Sequence, residues 1–66
     1  MNPKFEYKFV PMEYKNAWIG TLKEDYKAAI EEHGRKGWRL VQVLSSEVAT
    51  QFGFQTNVLI FERLER

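Results

Sequence analysis

The stretch Gly34-Arg35-Lys36-Gly37-Trp38-Arg39-Leu40 decides the fold of this chain. Its two glycines follow a segment with helical periodicity, and Trp38 begins an apolar segment of the kind found in β-strands. Glycine readily adopts the left-handed conformation that ends many helices, so Gly34 or Gly37 is predicted to stop the helix. The stretch therefore marks a helix-to-strand junction.

The segment before this junction predicts an amphipathic helix. It opens with Thr21-Leu22-Lys23-Glu24, which has the pattern of a capping box. On its outer face an acid precedes a base by four residues in the pairs Glu31–Arg35 and Glu32–Lys36, the favourable order. Helical spacing also predicts one apolar stripe, formed by Leu22, Tyr26, Ala29, Ile30 and His33.

Three segments have the pattern of strands. Residues 4–10 alternate between the aromatic side chains of Phe5, Tyr7 and Phe9 and charged ones, which predicts one buried and one solvated face, with Pro11 ending the strand. Residues 38–44 and 56–63 are predominantly apolar. The segment 45–55 fits either a loop or a long hairpin with its tip near Phe52-Gly53-Phe54, a tip expected to form an interface or to cover a sheet edge.

These elements predict one α+β domain over residues 1–66, in the order β-α-β-β. The third strand is expected between the other two in an antiparallel sheet, with the helix packed on one face. The other face, which is expected to carry Val41 and Val43 and an apolar set from the third strand, then lacks a cover. A cysteine-free chain of 66 residues buries only about 60% of its unfolded surface. We therefore expect a homo-oligomer.

The combination of elements resembles the domain of unknown function 4177 family. Its matching pieces here are Tyr7-Lys8-Phe9-Val10, the stretch from Gly34 to Val41, and Ile60-Phe61-Glu62-Arg63. The resemblance covers about two-thirds of the chain and is most specific at Gly-x-x-Gly-Trp. It implies a small bacterial or phage protein of β-α-β-β fold, and it brings no catalytic residues. This chain departs from the family pattern in the basic residues around Trp38.

Composition argues against several classes of function. With no cysteine and one histidine, His33, which falls on the apolar stripe, the chain offers no nucleophile–base pair and no metal-ligand spacing. We therefore expect no enzyme, no metal and no cofactor. Ten basic and nine acidic residues argue against nucleic-acid binding, although an RNA-binding sheet is a third option. The apolar runs are too short to span a membrane, and a cytoplasmic protein is expected.

The remaining candidate site is the basic junction. Arg35, Lys36 and Arg39 could bind an anion, and Trp18 could stack on a base, although solvated helix-end cations explain the same basic residues. Trp38 is expected in the core. The leading hypothesis is a non-catalytic homo-oligomer that sequesters a small anionic ligand between subunits, such as a cyclic nucleotide signal, as phage anti-defence sponges do. The alternative is a protein-interaction module that docks through an exposed sheet face or edge.

Overall fold

The computed structural model describes residues 4–12 and 23–65. The order of elements is β1 (Phe5–Pro11), α1 (Lys23–Arg35), β2 (Arg39–Leu44), the short helix α2 (Ser46–Ala49), a 3-10 turn (Thr50–Phe52) and β3 (Val58–Leu64). Strand β3 lies between β1 and β2 and is antiparallel to both. The predicted α+β fold and strand order are thus confirmed. The proposed capping box at Thr21 and the candidate Trp18 lie outside the described residues.

The junction after α1 has the geometry that its glycines predict. Gly37 has φ +90°, and the N–H of Trp38 donates to the carbonyl of His33 at 2.9 Å while the N–H of Gly37 donates to that of Gly34 at 3.0 Å. These two bonds form a Schellman motif, which satisfies the last carbonyls of the helix. The chain leaves the motif at Trp38, which packs against the core.

One hydrophobic cluster lies between α1 and the sheet. Phe61 and Leu59 of β3 are fully buried there, because β3 has a neighbouring strand on each side and α1 packs over this face. Three residues of the predicted stripe, Tyr26, Ala29 and Ile30, pack against this cluster, while Leu22 lies outside the described residues. Both predicted pairs on the outer face of α1 are present, Glu31–Arg35 at 3.8 Å and Glu32–Lys36 at 3.6 Å.

The aromatic side of strand β1 faces away from the helix, whereas its sequence pattern predicts that this side is buried. Phe5, Tyr7 and Phe9 are 45–57% exposed, and the residue that packs against the helix-side cluster is Val10, opposite Leu59. The prediction of a buried aromatic face was therefore wrong. Alternation identifies which residues share a side, but it does not say which side the helix covers.

A bulge in β2 moves its second half to the other side of the sheet. Leu40 pairs with Phe61, but Gln42 pairs with Ile60, so Val41 is an extra residue in the ladder. Val43 consequently lies opposite Leu59, whose side chain belongs to the helix-side cluster. The prediction that Val41 and Val43 share the uncovered face was therefore wrong for Val43.

The segment 45–55 forms neither an open loop nor a hairpin. Helix α2 and the 3-10 turn fold back onto the sheet, where Ala49 joins Leu44 and Val58 in a second buried cluster. Phe54 packs against this cluster and stacks on Phe9, with ring centroids 6.2 Å apart. This segment covers one end of the second face and leaves the other end exposed.

Candidate functional site

The exposed part of the second sheet face carries several half-exposed apolar side chains, among them Phe5, Tyr7, Phe9 and Leu64, and we call it the open face. Antiparallel partners share a side of a sheet, so its side chains form rows across the strands. Phe5 lies opposite Leu64, and Phe9 lies opposite Ile60. The row between them contains, in order across the sheet, Tyr7, Glu62 and Arg39.

The middle row joins a charged pair to an aromatic side chain. Glu62 is buried, and its Oε2 accepts a hydrogen bond from Nη2 of Arg39 at 3.0 Å. The Arg39 side chain is nevertheless 75% exposed. A guanidinium carries five N–H donors, and this bond, the one described for it, uses one of them. Glu62 therefore holds Arg39 in place on the open face while most of its donors stay available to solvent or a ligand.

The three predicted site residues that the structure describes, Arg35, Lys36 and Arg39, do not converge within one chain. Arg35 belongs to the outer face of α1, where its Nη2 lies 3.8 Å from Glu31. Lys36 follows the helix end on the helix side of the sheet, with its Nζ 3.6 Å from Glu32. Arg39 lies on the opposite side, and Trp18 is outside the described residues. Of the basic junction, only Arg39 reaches the open face.

A groove lies on the helix side, beside the junction. This groove of about 600 Å³ is lined by Glu6, Lys36, Gly37, Arg63, Leu64 and Glu65. Its two carboxylates balance its two cations. The guanidinium of Arg63 is also occupied, since Nε donates to Glu6 and its carbon lies 4.3 Å from the Trp38 ring centroid. The groove thus has no excess of positive charge with which to attract an anion.

His33 packs into the fold. Its ring stacks on Phe61 with centroids 4.4 Å apart, and its Nδ1 lies 2.7 Å from the carbonyl oxygen of Ala29, one turn earlier in the helix. This arrangement holds the ring against the core. Among the described residues, no group of three His, Cys, Asp or Glu side chains could hold a metal ion.

Two residues with structural roles, Arg63 and Asn57, were not predicted from the sequence. Arg63 lies over the Trp38 ring. It could have been found from the strand register, which places it opposite Glu6. Asn57 links three elements: its carbonyl accepts from Met12, its Oδ1 from Ser46, and its Nδ2 donates to the Tyr26 hydroxyl. No local sequence pattern predicts this role of Asn57, because its partners are distant in sequence.

The described fold and the comparisons define the class of protein. The fold is a small α+β module. Its central apolar strand lies between an aromatic strand and a strand that follows the Gly-x-x-Gly-Trp junction. Residues 5–64 match the family model described as a domain of unknown function (DUF4177), and the chain belongs to this family. Curated proteins and solved structures offer no match. No helix within residues 4–12 and 23–65 is long and apolar enough to cross a membrane.

Proposed function

We propose that this protein is a non-catalytic, homo-oligomeric binding module and that its open face is the surface with which it binds. The observation that carries the proposal is the middle row of that face, where an aromatic side chain and an exposed arginine flank a buried carboxylate. Rows of exposed aromatic side chains are typical of surfaces that contact another molecule.

The chemistry of the row favours a flat, anionic ligand of the nucleotide class. Aromatic side chains stack on bases, and Tyr7, the most exposed of the three β1 aromatics, supplies such a surface. Arg39 supplies the charged donors that bind phosphate. Neighbouring strands lie about 4.8 Å apart, so the two side chains start about 10 Å from each other, roughly the span from a base to a phosphate. Such a ligand implies a cytoplasmic module that sequesters a nucleotide signal, as anti-defence sponges do.

The size of the chain favours self-association beside the open face. Several large apolar side chains of a 66-residue protein remain about half exposed on this face. Packing the aromatic side chains of a second copy beside them removes apolar surface from water at about 25 cal/mol per Å². The two buried clusters of a single chain are small, so this term matters for stability.

Light scattering over a concentration series tests the oligomer. We expect a dimer or larger assembly at micromolar concentration. Tyr7→Thr should weaken assembly about ten-fold or more, whereas Val43→Thr, an exposed apolar site on the helix side, should leave it unchanged. A monodisperse monomer at all concentrations would overturn the proposed assembly.

Titration calorimetry against a panel of cyclic and linear nucleotides tests the ligand. Arg39→Gln should abolish the heat of binding. Arg35→Gln is the matched control, because the Arg35 side chain is 71% exposed, close to the 75% of Arg39, and also contacts one carboxylate, but lies on α1. If no nucleotide binds and the oligomer is intact, the ligand class is wrong and a protein partner becomes the better occupant of the open face.

A further inference from the structure

We infer that two copies of this chain join through the free edges of their β1 strands, antiparallel and centred on Tyr7, to form one continuous six-stranded sheet. This inference rests on the proposed homo-oligomer and specifies how it is built. It commits to a second copy as the occupant of the edge.

The backbone of β1 offers a regular edge. The carbonyl of Lys4 accepts from Glu65 and the N–H of Met12 donates to Asn57, both at 2.8 Å. Antiparallel ladders alternate, so the even-numbered residues of β1 bond to β3. The N–H and C=O groups of Phe5, Tyr7 and Phe9 therefore point away from β3, and no other described strand pairs with them. Pro11, which lacks an N–H, closes this edge.

Charge selects the register. Antiparallel pairing centred on Tyr7 places Glu6 opposite Lys8 of the second copy, and Lys8 opposite Glu6, on the helix side. Shifting the centre to Glu6 opposes two glutamates, and shifting it to Lys8 opposes two lysines, both of which are unfavourable. Glu6 accepts from Arg63 of its own chain through Oε1, which leaves Oε2 for the lysine of the copy.

The same register pairs aromatic side chains on the open face. Phe5 lies opposite Phe9 of the copy, Tyr7 opposite Tyr7, and about six main-chain hydrogen bonds join the strands. Aromatic cross-strand pairs stabilise antiparallel sheets. The other sheet edge is less suitable, because the bulge between Leu40 and Gln42 interrupts the ladder of β2.

The pairing bears directly on the proposed ligand site. It sets the aromatic rows of two copies side by side in the middle of one sheet, with an Arg39 on each flank. A ligand stacked on Tyr7 would then contact both subunits. This geometry accounts for a binding site that one chain leaves incomplete.

Single cysteines test the register, since the native chain has none. Tyr7→Cys should form a covalent dimer under mild oxidation, because directly paired positions have Cα atoms about 5.5 Å apart. Phe5→Cys and Phe9→Cys should each stay uncrosslinked alone and crosslink when mixed. An oligomer in which Tyr7→Cys does not crosslink would overturn the register and leave the proposed function standing. A wild-type monomer would overturn both.

Charge variants provide a second test that needs no oxidation. Lys8→Glu and Glu6→Lys should each weaken self-association about ten-fold, because each opposes like charges in its own dimer. Mixed together, the two variants should form a heterodimer in native mass spectrometry, since every opposed pair is then attractive. Circular dichroism confirms that each variant is folded. Folded variants that show no preference for the heterodimer would overturn the inference.

Discussion

The guanidinium carbon of Arg63 lies 4.3 Å from the centre of the Trp38 ring, and Nζ of Lys8 lies 5.8 Å from it. Trp38 thus packs against the helix-side cluster while two cations lie over its ring. Its burial comes partly from charged side chains whose stems cover apolar surface, and cation–π attraction adds to that cover.

Truncation of Trp38 should therefore be severe. Trp38→Ala is expected to reduce the free energy of unfolding by about 3 kcal/mol, the lower end for a buried aromatic, out of about 5 kcal/mol in total. Chemical denaturation followed by circular dichroism measures the loss. Phe52→Ala, at a 64% exposed aromatic, is the control and should change stability by less than about 0.5 kcal/mol. Equal effects of the two changes would contradict the assignment of Trp38 to the core.

The two glycines of the junction should respond oppositely to alanine. Gly37→Ala forces a side chain into the left-handed region at φ +90° and should destabilise by about 1–2 kcal/mol. Gly34→Ala replaces a helical glycine and should stabilise by about 0.5–1 kcal/mol. A Cβ at either position meets no atom within 4 Å, so the difference isolates backbone conformation. Thermal melts that move in the same direction would refute the assigned helix stop.

The Asn57 side chain should contribute measurable coupling between α1 and α2. Asn57→Ala removes both its bond to the Ser46 N–H, at 2.7 Å, and its bond to the Tyr26 hydroxyl, at 2.8 Å. The expected cost is about 1–3 kcal/mol, since each bond contributes about 0.5–1.5 kcal/mol. Tyr26→Phe deletes only the second bond and should cost about 1 kcal/mol. In the double variant the Tyr26→Phe change should add almost nothing, and additive losses would exclude the bond.

A double-mutant cycle should detect the Arg39–Glu62 pair. Arg39→Gln and Glu62→Gln each remove one charge from the pair that is bonded at 3.0 Å, and their coupling is expected to be about 0.5–1 kcal/mol, reduced by the exposure of Arg39. Denaturant titrations of the four proteins give this coupling. Arg35 and Glu31 form the comparison cycle, and their exposed pair on one helix should couple by about 0.3–0.5 kcal/mol. Zero coupling at Arg39 would mean that Glu62 does not position it.

The helix and strands were predictable because each has a local sequence signal. Two features that position the site were not: the side of β1 that faces the helix, and the separation of the basic residues at the junction. The glycines before Trp38 predict the helix end, and the spacing of charged residues on α1 predicts its ion pairs. The side of β1 that meets the helix depends on which face a distant helix covers, and here both faces contain apolar residues. The basic residues of the junction separate because Lys36 lies in the turn after α1, on the helix side, whereas Arg39 is the first residue of β2 and projects to the open face.

The bulge at Val41 determines how β2 contributes to the two buried clusters on opposite sides of the sheet. In a regular strand Leu40 and Leu44 would lie on one side, because four residues are two full periods. Here Leu40 packs with the helix-side cluster and Leu44 with the second cluster. The bulge therefore lets a six-residue strand contribute to two layers: pairing of the same residues without it would turn Leu44 to the helix side and remove it from the cluster on which α2 packs.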